Sequence, residues 1–485
     1  MRTLSSHGAV RPAALQPARL HVRWAGSESG QALLILLVMT SIATTLIVYG
    51  STTELDRALR ADARTRAVLE EAKQALIGRA IADANRPGSL PCPDGDDDGS
   101  SDLFVGSACP SYIGRLPWRT LGIGDLRDDA GERLWYALTP AFRDHPSAPP
   151  LNTDTQGSLT LYSNSEARVV TTRGIAAVFA PGAALGSQRR DNAVVLCATS
   201  SRNLQRNRCA TNYLDASGAV SNASATGPYI SAPAGDAYND KVTVIVAADV
   251  MPLVERRVAV ELRNALLAYR AGAACGCYPW ADSGTDGVSD SGVSRGRIPA
   301  RGALPQNWPP GALPPYFAPN QWGRGIHYAV ARRALDGEGK ACTTCIDADL
   351  TFDGTRGYDV VLISSGYAQK SRASAAWSEY LEDAENRDAD DRYVTPRGEE
   401  ASRDRAYAIA GAASGCAVSA RVLIDHLPCA RAGTGLQPTC EAADAVLSGC
   451  RCAGAARALV KPPCASALGA RQCELAITEL RGCTS

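Results

Sequence analysis

Charge imbalance is the first thing this chain lacks: its 485 residues carry 50 Lys and Arg against 50 Asp and Glu. A formal charge of zero gives no bulk field to draw in nucleic acid, so no nucleic-acid partner is expected. Histidine is scarce. Of five, His7 and His21 fall in the first 30 residues, which leaves His145, His327 and His426 for ligation or proton transfer. A nucleophile elbow, an HExxH pair and a phosphate-cradling glycine loop are all missing. No catalytic residue is assigned, and the chain reads as a non-enzyme. Methionine is scarcer still, at 3, whereas cysteine reaches 16. That even count, split four, four and eight along the chain, suits an oxidising compartment and a disulfide framework.

Charge is also missing locally, from Gln31 to Tyr49. A run of 19 residues rich in Leu, Ile and Val is long enough to cross a hydrocarbon core as one helix, with membrane lipid as its partner. Arg2, Arg11, Arg19 and Arg23 precede it, opposed by Glu28, while Glu54, Asp56, Arg57, Arg60 and Asp62 behind it roughly cancel. The positive-inside rule then makes 1–30 a basic cytoplasmic leader and 31–49 a transmembrane helix, with the bulk of the chain exported. A removable secretory signal needs a small-x-small site, which Leu46-Ile47-Val48-Tyr49-Gly50 does not supply. Apolar or small residues recur at three- and four-residue steps through Leu55, Leu59, Ala63, Ala67, Ala75 and Ile77, so the helix is predicted to run on to Ala84, where Pro87-Gly88 stops it. At ~1.5 Å per residue this makes a rod of about 80 Å.

The segment Gly30-Gln31-Ala32-Leu33-Leu34-Ile35-Leu36-Leu37-Val38, behind an arginine-bearing leader, resembles the amino terminus of type IV prepilins and type II secretion pseudopilins. The resemblance implies processing between Gly30 and Gln31 by a prepilin peptidase, residence in the bacterial inner membrane with the bulk of the chain periplasmic, and packing of the apolar helix among other pilin or pseudopilin subunits. Two positions depart from the family. Gln31 stands where an aromatic residue or Met is usual, and Ile35 where a glutamate meets the amino terminus of a neighbouring subunit. A subunit without that carboxylate needs no neighbour above it, which implies a minor subunit at the filament tip or in initiation of assembly. The other reading of the same residues is a single-pass, membrane-anchored periplasmic binding or adhesion protein outside any filament.

The exported part is organised by a duplication. Glu71-Ala72-Lys73-Gln74-Ala75-Leu76-Ile77 echoes Glu261-Leu262-Arg263-Asn264-Ala265-Leu266-Leu267. Gly114-Arg115-Leu116-Pro117 is then matched by Gly296-Arg297-Ile298-Pro299, and Leu134-Trp135-Tyr136-Ala137-Leu138 by Ile326-His327-Tyr328-Ala329-Val330. Further landmarks follow in the same order, ending at Asp240 and Asp404. The predicted organisation is a helix stem and first module over 50–248, a second module over 249–411 and a disulfide-rich tail over 412–485. Asp249 is expected to cap the second helix. Strands are predicted at Ser158 to Tyr162, Gly174 to Ala180, Ala193 to Cys197 and Val242 to Ala247, and again at Asp349 to Phe352, Tyr358 to Ser364 and Tyr407 to Ala410. The fold class is α+β: a long amino-terminal transmembrane or amphipathic helix, two pilin-like helix-plus-small-sheet modules and a Cys-rich helical tail.

One loop carries the pattern of a cation site. Asp94, Asp96, Asp98 and Asp102 take positions 1, 3, 5 and 9 with Gly99 at 6, the oxygen spacing of an EF-hand calcium loop, although Val105 replaces the acidic residue at 12. The second copy keeps Asp282, Asp286 and Asp290 and places Gly284 at position 3. Calcium is thus a possible ligand that the fold does not require, and a solvated acidic turn is the competing reading of both loops. Cys92 and Cys109 bracket the first loop, and a bridge there contributes roughly 3 kcal/mol by restricting the unfolded chain. Cys197 and Cys209 flank a basic turn and form a second candidate pair. Cys275, Cys277, Cys342 and Cys345 allow either two disulfides or a four-thiolate zinc site.

Overall fold

The computed structural model describes residues 29–163, 168–186, 188–197, 203–273, 277–331, 350–368, 372, 374, 376–388, 390–396 and 402–410, with short stretches of the tail between 423 and 481. The chain divides into two compact units, Met1–Ala63 and Arg64–Ser485. A single helix, α1 (Ser29–Ala82), runs for 54 residues. Asp83 ends it by accepting hydrogen bonds from the backbone N–H groups of Asn85 and Arg86 at 2.9 and 2.7 Å.

The first unit corrects the transmembrane expectation over 31–49. Every described side chain from Leu34 to Thr45 is exposed, and Thr40, Ser41, Thr44 and Thr45 turn their hydroxyls back to carbonyls three or four residues earlier. Those hydroxyls dilute the apolar run that begins at Leu34. Among the described residues no helix is long and apolar enough to cross a membrane.

The second unit holds two sheets of like plan. In the first, β1 (Ile113–Arg115), β2 (Trp135–Leu138), β3 (Leu159–Ser163) and β4 (Arg168–Ala180) are followed by two small hairpins, β5 (Val194–Leu196) with β6 (Asn203–Gln205) and β7 (Ala216–Ser217) with β8 (Val220–Ser221). Strands β9 (Tyr229–Ser231) and β10 (Lys241–Val246) complete a sheet of order β1-β2-β4-β3-β9, with β10 also paired to β4. After helix α2 (Ala247–Gly272), strands β11 (Arg295–Arg297), β12 (Ile326–Val330), β13 (Leu350–Phe352) and β14 (Thr355–Ser364) precede the one-turn helix α3 (Trp377–Tyr380). Strands β15 (Arg392–Tyr393) and β16 (Arg405–Ala410) close a sheet of order β11-β12-β14-β13-β15, with β16 paired to β14.

Register agrees as well as order. Gly114 lies opposite Tyr136, which lies opposite Val178, and Gly296, Tyr328 and Leu362 repeat that row. The buried Asp240 accepts the N–H of Asp215 at 2.7 Å, as Asp404 accepts that of Glu382 at 3.1 Å. Beyond the landmarks named in the sequence, each sheet ends in a parallel pair, β3 with β9 and β13 with β15.

Side chains alternate across each sheet, and the inward rows meet in one hydrophobic core rather than two. Leu69, Ala72 and Leu76 of α1, Val254, Val258 and Leu262 of α2, Tyr136 and Val178 of the first sheet and Tyr328 and Leu362 of the second belong to the same buried cluster. The two helices are tied by charge too. Lys73 pairs with Asp249 at 2.9 Å, and the Arg257 guanidinium donates to the carbonyls of Ile81 and Asp83 at 2.5 and 2.7 Å, which satisfies acceptors that the end of α1 leaves open. Asp249 stands third in α2 and accepts the N–H of Val246 at 2.9 Å; the helix starts two residues earlier than Asp249, so that residue closes the first turn instead of preceding it.

In the tail, α4 (Ala453–Leu459) and α5 (Arg471–Arg481) surround a small core of their own that contains Leu459 and Leu480, stapled by a Cys464–Cys473 disulfide.

Candidate functional site

The two Asp/Gly loops are held on their sheets by one device. Asp94 exchanges both backbone hydrogen bonds with Arg115 at the edge strand β1, at 3.0 and 2.7 Å, and Asp282 does the same with Arg297 on β11 at 2.9 and 2.7 Å. The residue before each arginine has to be small at this crossing. A Cβ on Gly114 would fall 2.6 Å from the Asp94 carbonyl oxygen, and one on Gly296 2.2 Å from that of Asp282.

Each leading carboxylate then folds its loop around itself. Asp94 is buried, with Oδ1 accepting the N–H of Asp97 and Oδ2 that of Gly99, both at 2.7 Å. Asp282 accepts from Gly284 at 2.7 Å and from Gly287 at 2.9 Å. Burial, with Asp97 and Asp96 nearby, pushes the Asp94 carboxyl up to about 6. The far end of the loop closes through Asp102, whose Oδ1 accepts the N–H of Gly95 at 3.0 Å, and through Asp290, which accepts from the N–H and hydroxyl of Ser283 at 2.8 and 2.5 Å.

The copies part over a cation. In the first loop Asp94, Asp96 and Asp102 each bring one oxygen to within 4.8 Å of the others, a spacing that would fit a hard cation. Asp98 stands outside the group and accepts the N–H of Ser100 at 2.6 Å. Among the described residues no such group forms in the second loop, where Gly284 supplies no oxygen in the place of Asp96; Asp286, like Asp98, accepts a backbone N–H, that of Val288 at 3.0 Å. What both copies share is the turn built around the buried Asp. The three-carboxylate cluster belongs to the first alone.

Around the loops lie residues the sequence did not single out. Arg115 is buried between the rings of Trp135 and Tyr213, 4.4 and 3.9 Å from their centroids, and Arg297 lies over Trp377 and Tyr380 at 4.5 and 5.7 Å. Such stacking holds a guanidinium that burial would otherwise disfavour. The repeated Gly-Arg dipeptide was the available signal, since a charged residue at the same place in two copies implies a shared task.

The cysteines divide by location. Cys92–Cys109 and Cys197–Cys209 are disulfides, and Cys277 is disulfide-bonded, which removes its thiolate from a zinc site. Cys275, Cys342 and Cys345 lie outside the described residues. Gly30 and Gln31 fall in the first turn of α1. His327, which takes the place of Trp135 in the second copy, is buried against Trp377, with ring centroids 4.7 Å apart. Comparison of the chain with protein-family models, with curated proteins and with solved structures finds no match in any of the three.

Proposed function

We propose that this chain is an exported structural subunit that joins a pilin- or pseudopilin-like filament through the apolar amino-terminal part of α1. The observation that carries the reading is the contrast along one helix. Leu34, Ile35, Leu36, Leu37, Val38 and Met39 are six successive large apolar side chains, all exposed, whereas Leu69, Ala72, Leu76 and Ala80 of the same helix are buried in the core. Six such residues in water are costly for a chain that stays alone, and burial against helices of other subunits removes that cost, at about 25 cal/mol per Å². Ile35 in place of a carboxylate suits a terminal or initiating position. Disulfide bonding supports an oxidising compartment, and a non-catalytic, structural role agrees with loops whose carboxylates are engaged in bracing turns.

The test places a photo-crosslinking amino acid at position 37 and, as a control, at exposed position 103 in the first loop. The proposal expects irradiation of intact cells to join position 37, and not 103, to the helix of a second polypeptide. Recovery of position 37 only as uncrosslinked single chains, or only as lipid adducts, overturns it.

A further inference from the structure

His327 takes in the second sheet the register position that Trp135 takes in the first. Trp135 lies opposite Arg115 and Phe179, and His327 lies opposite Arg297 and Ile363. Residues opposite one another share a face, so the two outward faces can be compared row by row. In the first copy that face is filled with rings. Trp135, Phe179, Tyr213 and Tyr229 are all buried, with centroids 5.5 Å apart for Trp135 and Tyr213 and 4.9 Å for Phe179 and Tyr229. In the second copy a smaller ring replaces Trp135 and an aliphatic chain replaces Phe179. A cavity of about 250 Å³ lies there, lined by His327, Trp377, Tyr393, Arg295 and Arg387 among others.

Its walls are not those of a void left by poor packing. His327 is only 6 % exposed, yet neither ring nitrogen has a hydrogen-bond partner, and Tyr393, 2 % exposed, likewise leaves its hydroxyl unpartnered. Buried polar atoms without partners are costly, and those of His327 and Tyr393 line a cavity in which a ligand or water would complete the set. The lining contains two guanidinium groups and no carboxylate. Arg295 is held by Asp391 at 2.9 Å, while Arg387 is exposed and has no ion pair among the described residues. Burial, with Arg295 and Arg297 nearby, pushes the His327 imidazole down to about 3, so at neutral pH it offers one N–H donor and one lone pair.

We propose that the outward face of the second module is a binding pocket for a small ring-bearing carboxylate, its ring against Trp377 and Tyr393, its polar substituent on His327 and the Tyr393 hydroxyl, and its carboxylate on Arg387. This pocket is independent of α1 and of filament assembly, so the two readings stand or fall separately.

The test titrates the full chain with 4-hydroxybenzoate and with glucuronate, followed by saturation-transfer NMR and by tryptophan fluorescence, with uncharged 4-hydroxybenzyl alcohol as the counterpart. The proposal expects saturable binding of at least one acid below about 10 mM, and weakening by about tenfold for the alcohol or for Arg387→Gln, an exposed change that leaves the core intact. His327→Trp, which writes the first copy's residue into the second, fills the cavity and abolishes binding. Absence of saturation by both acids overturns the proposal, as does binding by His327→Trp equal to that of the unaltered chain.

Discussion

Truncating one leucine to alanine at two points on α1 separates the two jobs assigned to that helix. Leu76 is 0 % exposed, within the cluster that joins both helices and both sheets, whereas Leu37 is 60 % exposed. Leu76→Ala removes buried methyl groups and leaves a cavity in a core fixed on several sides, at about 2–5 kcal/mol. With a urea slope of roughly 3 kcal/mol/M for a domain this size, the unfolding midpoint should fall by about 1 M. Leu37→Ala removes almost nothing buried within the chain, and Ala is the better helix former, so its stability should stay within about 0.5 kcal/mol of the parent. Its cost appears in assembly. Losing two to three methylene equivalents at about 0.8 kcal/mol each weakens an intersubunit contact by about 2 kcal/mol, near thirtyfold. Equilibrium urea unfolding reads the first quantity, and crosslinking yield from position 38 reads the second. Equal destabilisation by the two variants would refute the division of the helix, and undiminished assembly by Leu37→Ala would refute the role given to its amino-terminal part.

Three further outcomes concern Glu255, Gly99 and Asp96. Glu255 is buried on α2, accepts the Ser364 hydroxyl at 2.7 Å and is pushed up to about 7 by burial. The folded chain therefore holds this proton more tightly than the unfolded one, so stability is greatest below pH 4.5 for this group and declines as pH rises towards 7, by up to about 3 kcal/mol. Glu255→Gln should flatten that part of a stability–pH profile measured by urea unfolding, and an unchanged profile would count against the assignment. Gly99 has φ +89° and would place a Cβ 2.5 Å from the Trp118 ring, whereas Gly106, φ +63°, has open space; Gly99→Ala should cost more than Gly106→Ala, the latter about 1 kcal/mol from backbone alone. In metal-free buffer Asp96→Asn should alter stability by less than about 0.5 kcal/mol, and it should abolish any rise in melting temperature that millimolar calcium gives the parent chain. A rise that survives the substitution would place the cation elsewhere.

Sequence periodicity was most informative where a strand faces the core. The alternation in Ser158 to Tyr162 and the apolar run in Tyr358 to Ser364 lead directly to β3 and β14, because such strands face a core on at least one side. Edge strands were harder: β1 and β11 are three residues each and read Ile-Gly-Arg and Arg-Gly-Arg, a composition that signals a turn until the bridge to Asp94 or Asp282 is known. The parallel partners β9 and β15 are set by tertiary pairing and have no local signature. At the loop, spacing named the carboxylates, but not the loop path that brings one oxygen each of Asp94, Asp96 and Asp102 together and leaves Asp98 outside. The long uncharged stretch was legible as a helix. Its reading as a membrane span gave too little weight to Thr40, Ser41, Thr44 and Thr45.

The shared core also dictates the order of events at birth. When the first sheet and α1 have emerged, the face destined for α2 and the second sheet is greasy and bare, and it stays so while about 160 more residues are made, roughly ten to thirty seconds at ordinary elongation rates. The half-made chain is thus the vulnerable species, the one a holding chaperone would need to shield, and a stop codon between the repeats should yield aggregate instead of a soluble amino-terminal half.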